Sequence, residues 1–340
     1  MRRRRVLALA ASPAVAALAC VAPTRARAQA ASRTSVRVVA FAGGWNLPLW
    51  AAERQGFFAQ RGIAVELAYT PGSAALVDGL MAGRHDIALA AIDNLIAYQE
   101  GQGEGPPLRD PDLVAVMGVD HGFLSVVARG SIATIAELRG TKVAVDSPNT
   151  GFAFVLRELL QRAGIGEGDV TIVRGGATEL RYAGLVAGAY DATLLRTPFE
   201  ILAAERGCRV LARADALGPY LGTSGFVRRS WASANEATLV GFLRAYRDAM
   251  RWLVEPAHRD AAAALLVANV RDMTPALAAR AADVLLAERG GLLRELEIEP
   301  AALATVLRLR ARYGRPERTL GDESRYVDPT YRAKAIAGGP

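Results

Sequence analysis

Gly79-Leu80-Met81-Ala82-Gly83-Arg84-His85-Asp86-Ile87-Ala88-Leu89 and Gly184-Leu185-Val186-Ala187-Gly188-Ala189-Tyr190-Asp191-Ala192-Thr193-Leu194 stand 105 residues apart and share Gly, Leu, Ala, Gly, Asp and Leu at matching positions. The same offset carries Ser73 onto Thr178 and the β-rich run 36–40 onto 141–145. Three elements in one register describe an internal duplication, and a duplication of this period divides the chain into two similar halves.

Each copy reads as one unit. A β-rich run (36–41; 142–145) meets a turn of Gly, Pro and Asn, followed by a helix (47–61; 152–163) and a second strand (64–68; 170–173). Pro71-Gly72-Ser73 and Gly175-Gly176-Ala177-Thr178 then open another helix, with Ser73 and Thr178 as expected N-caps. Gly83 and Gly188 read as its C-terminal glycines, and a third strand follows (86–90; 191–195). Strands alternating with helices imply sheets covered by helices, with ligands bound beyond the carboxyl ends of the strands. Strand-like runs 114–119 and 123–128 flank Asp120-His121-Gly122, and 209–212 and 224–228 flank Gly218-Pro219-Tyr220-Leu221-Gly222. Both stretches read as crossings between lobes. The expected architecture is α/β: two Rossmann-like lobes with central mixed sheets joined by a two-strand hinge. Lobe 1 takes 33–120 plus 224–315 and lobe 2 takes 121–223. Residues 232–313 read as helices packed through Trp252, Leu253, Leu265 and Leu292, and 316–340 as a polar, loosely attached C-terminal tail.

The chain has 340 residues, 51% hydrophobic and 22% charged, enough for two domains with a sizeable core. Residues 1–30 read as a signal peptide: Arg2 to Arg5 form the charged region, 6–21 the apolar stretch, and Ala26-Arg27-Ala28 and Ala28-Gln29-Ala30 are both small-x-small cleavage sites. The arginine run is compatible with twin-arginine as well as general export. A lipid anchor at Cys20 is the weaker alternative, because Ala17 stands where a lipobox has Leu. Residues 1–30 carry six arginines and no acid, so without them the formal charge falls from +7 to +1, and the basic balance gives no case for nucleic acid. Only Cys208 then remains, so no internal disulfide is expected. The mature protein is expected to be periplasmic, soluble and monomeric.

Three segments carry a family resemblance. Leu47-Pro48-Leu49-Trp50-Ala51-Ala52-Glu53-Arg54-Gln55-Gly56-Phe57-Phe58, followed by Gly62-Ile63-Ala64-Val65-Glu66, is the first. The Ala82-Gly83…Asp86-Ile87-Ala88 pattern is the second, and Ile135-Ala136-Glu137-Leu138-Arg139-Gly140-Thr141-Lys142-Val143-Ala144-Val145 the third. Over residues 33–315 the chain resembles the periplasmic binding proteins of ABC importers for sulfonates, nitrate, taurine and thiamine-pyrimidine precursors. The resemblance implies the type II periplasmic binding protein fold, a small-molecule ligand and an ABC importer permease as partner. Eukaryotic pyrimidine-forming enzymes of the same family carry a Cys-rich motif that this sequence lacks, so no catalytic residues are assigned.

The strand-to-helix turns supply the expected ligand contacts. In the first lobe these are Gly44, Trp45 and Asn46, then Ser73, then Asp93 and Asn94; in the second, Asp146, Ser147, Asn149 and Thr150, then Thr178, then Arg196. Glycine lets a backbone approach a ligand, and helix N-termini favour anions. Arg196 would clamp a carboxylate or sulfonate; Asp93 or Asp146 would receive an amine, amide or ring N–H. Asn149 or Thr150 would also cap its helix. Trp45, Phe152 and Phe199 favour a planar or partly apolar ligand. His121, at the first crossing, would read the ligand or respond to pH. His85 and His258 lie apart from it, so neither a metal site nor a cofactor is expected. The sequence therefore reads as a solute receptor that closes by hinge motion. A receptor for a membrane sensor and an exported enzyme using Asp93, Asp146 and His121 are the alternatives.

Overall fold

The computed structural model describes residues 33–104, 107–108 and 111–337; the expected signal peptide with Cys20, and the last three residues of the tail, lie outside them. The chain starts in β1 (Thr34–Ala40), whose Val36, Val38 and Val39 are buried. Next come α1 (Leu47–Arg54), β2 (Ile63–Tyr69), α2 (Ser73–Met81), β3 (Ile87–Ala91), α3 (Ile92–Gln99) and β4 (Leu113–Gly118). The helix expected over 47–61 stops early because Gly56 turns left-handed (φ 76°), and only a short 3₁₀ turn, Ala59–Arg61, follows it.

The chain then crosses and repeats the pattern: β5 (Leu124–Ala128), β6 (Lys142–Val145), α4 (Gly151–Arg162), β7 (Thr171–Arg174), α5 (Thr178–Val186), β8 (Ala192–Arg196), α6 (Phe199–Glu205) and β9 (Arg209–Arg213). It returns through β10 (Thr223–Arg228) into α7 (Arg229–Ala234), α8 (Glu236–Val254), α9 (Arg259–Asn269), α10 (Pro275–Leu285), α11 (Pro300–Tyr313) and α12 (Thr330–Ala337).

Two five-stranded sheets result, ordered β2-β1-β3-β10-β4 and β7-β6-β8-β5-β9. In each the first three strands are parallel, and a strand from the crossing region (β10 or β5) runs antiparallel beside the third. The duplication is visible in the ladders themselves. Val38 pairs with Leu67 and Ile87; 105 residues later, Val143 pairs with Ile172 and Ala192. The shared aspartate has one job in both copies. Asp86 accepts the Arg37 backbone N–H at 2.9 Å and Asp191 that of Lys142 at 2.8 Å, fixing the start of the third strand against the first.

Gly83 and Gly188 do end their helices left-handed (φ 70° and 76°). Ser73 and Thr178 do not cap: each is the first helical residue, and the cap positions belong to Gly72 and Ala177. Of the expected helical packing residues, Leu253 and Leu292 are buried and Trp252 half-buried, stacked on His258 with centroids 4.2 Å apart; Leu265 is half-buried. The expectation of a loosely attached tail is overturned. Val327 forms a parallel bridge with Ala115 on β4, the fully buried Tyr326 donates its hydroxyl to Glu100 at 2.8 Å, and α12 packs on α8 through Tyr331. Two tyrosines in a polar stretch suffice to anchor it, because an aromatic ring carries a large apolar area and, for Tyr326, a satisfied polar tip.

Candidate functional site

The carboxyl ends of the parallel strands of both sheets meet across one small cavity. Leu89, Ala90 and Ala91 of β3 and Arg196 of β8 form its floor. Phe41 and Trp45 enter from the turn after β1, Asp146 from the turn after β6, and Thr223 from the return crossing. First helical turns close the rest: Ser73 of α2, Asn94 of α3, Gly151 and Phe152 of α4 with its cap Thr150, and Thr178 and Arg181 of α5. The volume is ≈ 30 Å³, room for a water or two, so the lobes are shut.

Several contacts hold them shut. Asn149 of the second lobe donates to the Gln102 carbonyl of the first at 2.6 Å. Ser147 donates to Glu104, which also receives Arg174 at 2.8 Å. Gly151 lies so close to Asp93 that a Cβ built on it would stand 2.5 Å from the aspartate's Cβ and Cγ. Arg310, fully buried on α11, fastens this seam. It makes two bonds to the Asp93 carboxylate, one of 2.6 Å through Nη2, and donates to the Asn149 carbonyl at 3.0 Å.

Two arginines line the cavity, and their surroundings differ. Arg196 gives one Nη2 bond of 2.5 Å to Asp120, both side chains being buried. Its guanidinium carbon lies 4.1, 4.9 and 5.4 Å from the ring centroids of Trp45, Phe123 and Phe152, an aromatic cage around a cation. Its Nε has no hydrogen-bond partner among the described residues, nor has the Thr223 hydroxyl beside it. Arg181 is 2% exposed. It donates to the carbonyls of Leu194 (3.1 Å) and Gly176 (2.5 Å) and to Thr178 Oγ1 (3.3 Å), with no carboxylate within ion-pairing distance among the described residues. Burial pulls its pKa down, partly offset by the Asp146 charge. Asp146 is half-buried, and desolvation pushes its carboxyl up against the opposing pull of Arg181 and of the Thr150 hydroxyl, which donates to it at 2.7 Å.

Eight of the residues singled out from the sequence thus line the cavity: Trp45, Ser73, Asn94, Asp146, Thr150, Phe152, Thr178 and Arg196. The others sit elsewhere. Asn46 holds its own turn, donating to the Phe41 and Gly43 carbonyls at 2.7 and 3.1 Å. Gly44 packs on Pro198 of the other lobe. Asp93 is spent on Arg310, and Ser147 and Asn149 on the interlobe seam. His121 faces a separate groove on the hinge side with Tyr220, Asp283 and Glu288. Thr150 is the cap residue of α4, yet its hydroxyl bonds backwards to Asp146 and the Ser147 carbonyl rather than to the helix. Phe199 packs beneath Trp45 and Tyr182, outside the cavity. Arg181 escaped the sequence reading although it stands three residues after Thr178, on the same face of its helix. Arg310 had no local signal at all. Among the described residues no group of three or more His, Cys, Asp or Glu is placed to hold a metal ion, and no helix is long and apolar enough to cross a membrane.

The architecture is shared with solved structures. A Bordetella bronchiseptica RB50 protein superposes with TM-score 0.74 at 19% identity, covering 90% of this chain and 98% of its own. The ligand-binding component of an ABC-type import system from Staphylococcus aureus, solved with zinc bound, gives 0.71 at 14%, covering 89% and 99%. The alkanesulfonate-binding protein SsuA from Xanthomonas axonopodis pv. citri, bound to MOPS, gives 0.65 at 20%, covering 83% and 92%. At such identities the likeness is one of fold, the periplasmic binding protein fold of two hinged lobes. No curated protein matches the sequence. The family model described as NMT1/THI5 like matches residues 46–259, well over half of the chain, and this chain belongs to that family.

Proposed function

We propose that the chain is an exported, periplasmic solute-binding protein, without catalytic activity, that captures a small organic molecule between its lobes and passes it to the permease of an ABC importer. The observation that carries this reading is the cavity itself. It lies where the strand ends of both sheets converge and is lined by the rings of Phe41, Trp45 and Phe152 together with polar groups from both lobes. That is the composition of a small-molecule site: mostly apolar, with a few polar groups that set orientation. Only two strand crossings join the lobes, at 119–123 and 214–222, so they separate about a hinge to admit a ligand larger than the closed space. The fold neighbours that are named as ligand-binding components of import systems support the same role.

The ligand class that fits the sequence and the lining is an organic anion such as a carboxylate or sulfonate, with an aromatic or aliphatic body, or a pyrimidine. Trp45, Phe41 and Phe152 would meet the body, and Ser73, Asn94, Thr150, Thr178 and the two arginines the polar groups. Native mass spectrometry of protein purified from its own periplasm tests this. One small molecule released at unit stoichiometry from the mature chain is expected. Protein that carries none, and that no solute from a broad panel stabilises against heat, would overturn the reading.

A further inference from the structure

A second opening lies between α4 and the end of α11, and it shares no lining residue with the cavity between the strand ends. Its volume is ≈ 520 Å³, within the range of about 300–1,000 Å³ usual for small-molecule pockets. Its walls come from both lobes. One wall is α4, the loop after it and the start of β7, all in the second lobe; the other is Arg312, Tyr313 and Arg315, which follow the return crossing and belong to the first. The walls are bonded to each other where they meet. Arg312 donates to Glu158 at 3.1 Å and to Gln161 at 2.7 Å, and the Tyr313 hydroxyl bonds the same two residues at 3.0 and 2.8 Å. These bonds run from one lobe to the other, so the groove is complete only while the lobes are shut.

The groove has an apolar floor and a cationic rim. Leu160, Ile165 and Val170, all buried, form the floor. Arg157, Arg312 and Arg315 stand on the rim, and Glu167 is the one carboxylate among the lining residues. None of the three arginines has a carboxylate to itself at close range. Arg157 meets the exposed Glu167 at 3.5 Å, too far for a good hydrogen bond. Arg312 shares Glu158 with Arg162 at 3.2 Å and Arg308 at 3.9 Å. Arg315 is exposed and donates to the Arg312 and Gly314 carbonyls, with no ion pair among the described residues. Five arginines on α4 and at the end of α11 thus share two carboxylates. Like charges gathered in a groove with an apolar floor focus the field and draw anions. A small inorganic anion would gain only the screened rim, and a neutral ring would gain only the floor. An anion with an apolar body gains both.

We infer that this groove is a second small-molecule site, for an organic dianion with a flat apolar body, held between Arg157 of one lobe and Arg315 of the other. The site goes beyond the solute-binding reading and does not depend on what the cavity between the strand ends holds. A ligand that touches both lobes binds the shut arrangement in preference to the open one and so favours it.

The test is calorimetry on the mature chain at pH 8 with naphthyl phosphate as the probe. Naphthol, inorganic phosphate and naphthylmethylammonium serve as its uncharged, ringless and cationic counterparts. Naphthyl phosphate is expected to bind about tenfold or more tighter than each of them. Arg157→Gln and Arg315→Gln are each expected to weaken it by about three- to fivefold, the reach of a partly exposed ion pair, and together by about tenfold. Weakening by both, one from each lobe, shows that the probe spans them. The unliganded melting temperature shows whether each variant folds, and Arg315, being exposed, is replaced without loss of core. Equal binding of any counterpart, or no binding of the probe, overturns the inference. So does a probe affinity unchanged in either folded variant, which would put the probe elsewhere or on one lobe alone. None of these outcomes touches the solute-binding reading, which native mass spectrometry tests separately.

Discussion

Arg196 at the end of β8 and Asp120 in the first crossing stand 2.5 Å apart, and through this pair the second lobe is tied to its own hinge. The same carboxylate holds the Gly122 and Thr223 backbone amides, so both crossings and the floor of the cavity converge on one side chain. Removing one partner of a buried pair leaves the other charge stranded, at about 3–5 kcal/mol. Asp120→Ala is therefore expected to lose about that much stability in urea denaturation. Asp120→Asn keeps an acceptor for the two amides and should lose less. Equal stability of both variants and the parent would show that the pair contributes nothing.

The Arg310–Asp93 pair makes a parallel case at the seam. The side chains are 0% and 1% exposed, and Arg310 reaches the Asn149 carbonyl of the opposite lobe as well. Arg310→Met is expected to destabilise by about 3–5 kcal/mol, because Asp93 stays buried without its cation. Adding Asp93→Asn removes the stranded charge and should restore part of the loss. The coupling is read from a double-mutant cycle of urea midpoints, and strict additivity of the two single effects would contradict it.

How far the sequence carries can be judged at these same residues. The 105-residue offset is legible because Asp86 and Asp191 do the same work, each accepting a backbone amide of the neighbouring strand, that of Arg37 or Lys142. A shared structural task preserves a shared residue. The turns that wall the cavity are legible too, because in a strand–helix unit the chain must turn at the carboxyl end of each strand. What the sequence does not show is pairing at long range. Asp93 reads as a free acceptor until α11, 217 residues on, brings Arg310 to it. Ser147 and Asn149 read as ligand donors until the lobes close and Glu104 and Gln102 take them. Arg181 was within reach, since it follows Thr178 by one helical turn. The tail misled because two tyrosines outweigh a polar composition.

Asp146 makes stability depend on pH with a definite sign. Burial holds its folded pKa above the ordinary value of 3.8. Between the two values the folded state binds more protons than the unfolded chain, so this group's contribution to stability falls as pH rises through that window and is level above it. Arg181 from α5 and Thr150 from the α4 cap face the carboxyl and limit the shift, and neither titrates in that range. Other carboxyls, such as Glu158, shift the opposite way, so the effect is isolated by difference. The stability of Asp146→Asn relative to the parent should grow as pH rises from 3.8 through the folded pKa of Asp146 and then stay constant. A difference that is flat across the whole range would refute this account.

Closure itself depends on the absence of a side chain at Gly151. A Cβ there would stand 2.5 Å from carbons of Asp93, which cannot yield easily because Arg310 grips both its oxygens. Gly151 begins α4 in the second lobe and Asp93 lies in the first turn of α3 in the first, so the clash falls across the seam. The helical position tolerates alanine, which carries the higher helix propensity, so Gly151→Ala is expected to fold. Its lobes should remain apart. Small-angle scattering should give a larger radius of gyration than for the parent, and any ligand that compacts the parent should bind the variant about tenfold or more weakly, because closure no longer adds its contacts. A variant as compact as the parent, with unchanged affinity, would mean that the lobes do not meet at this point in solution.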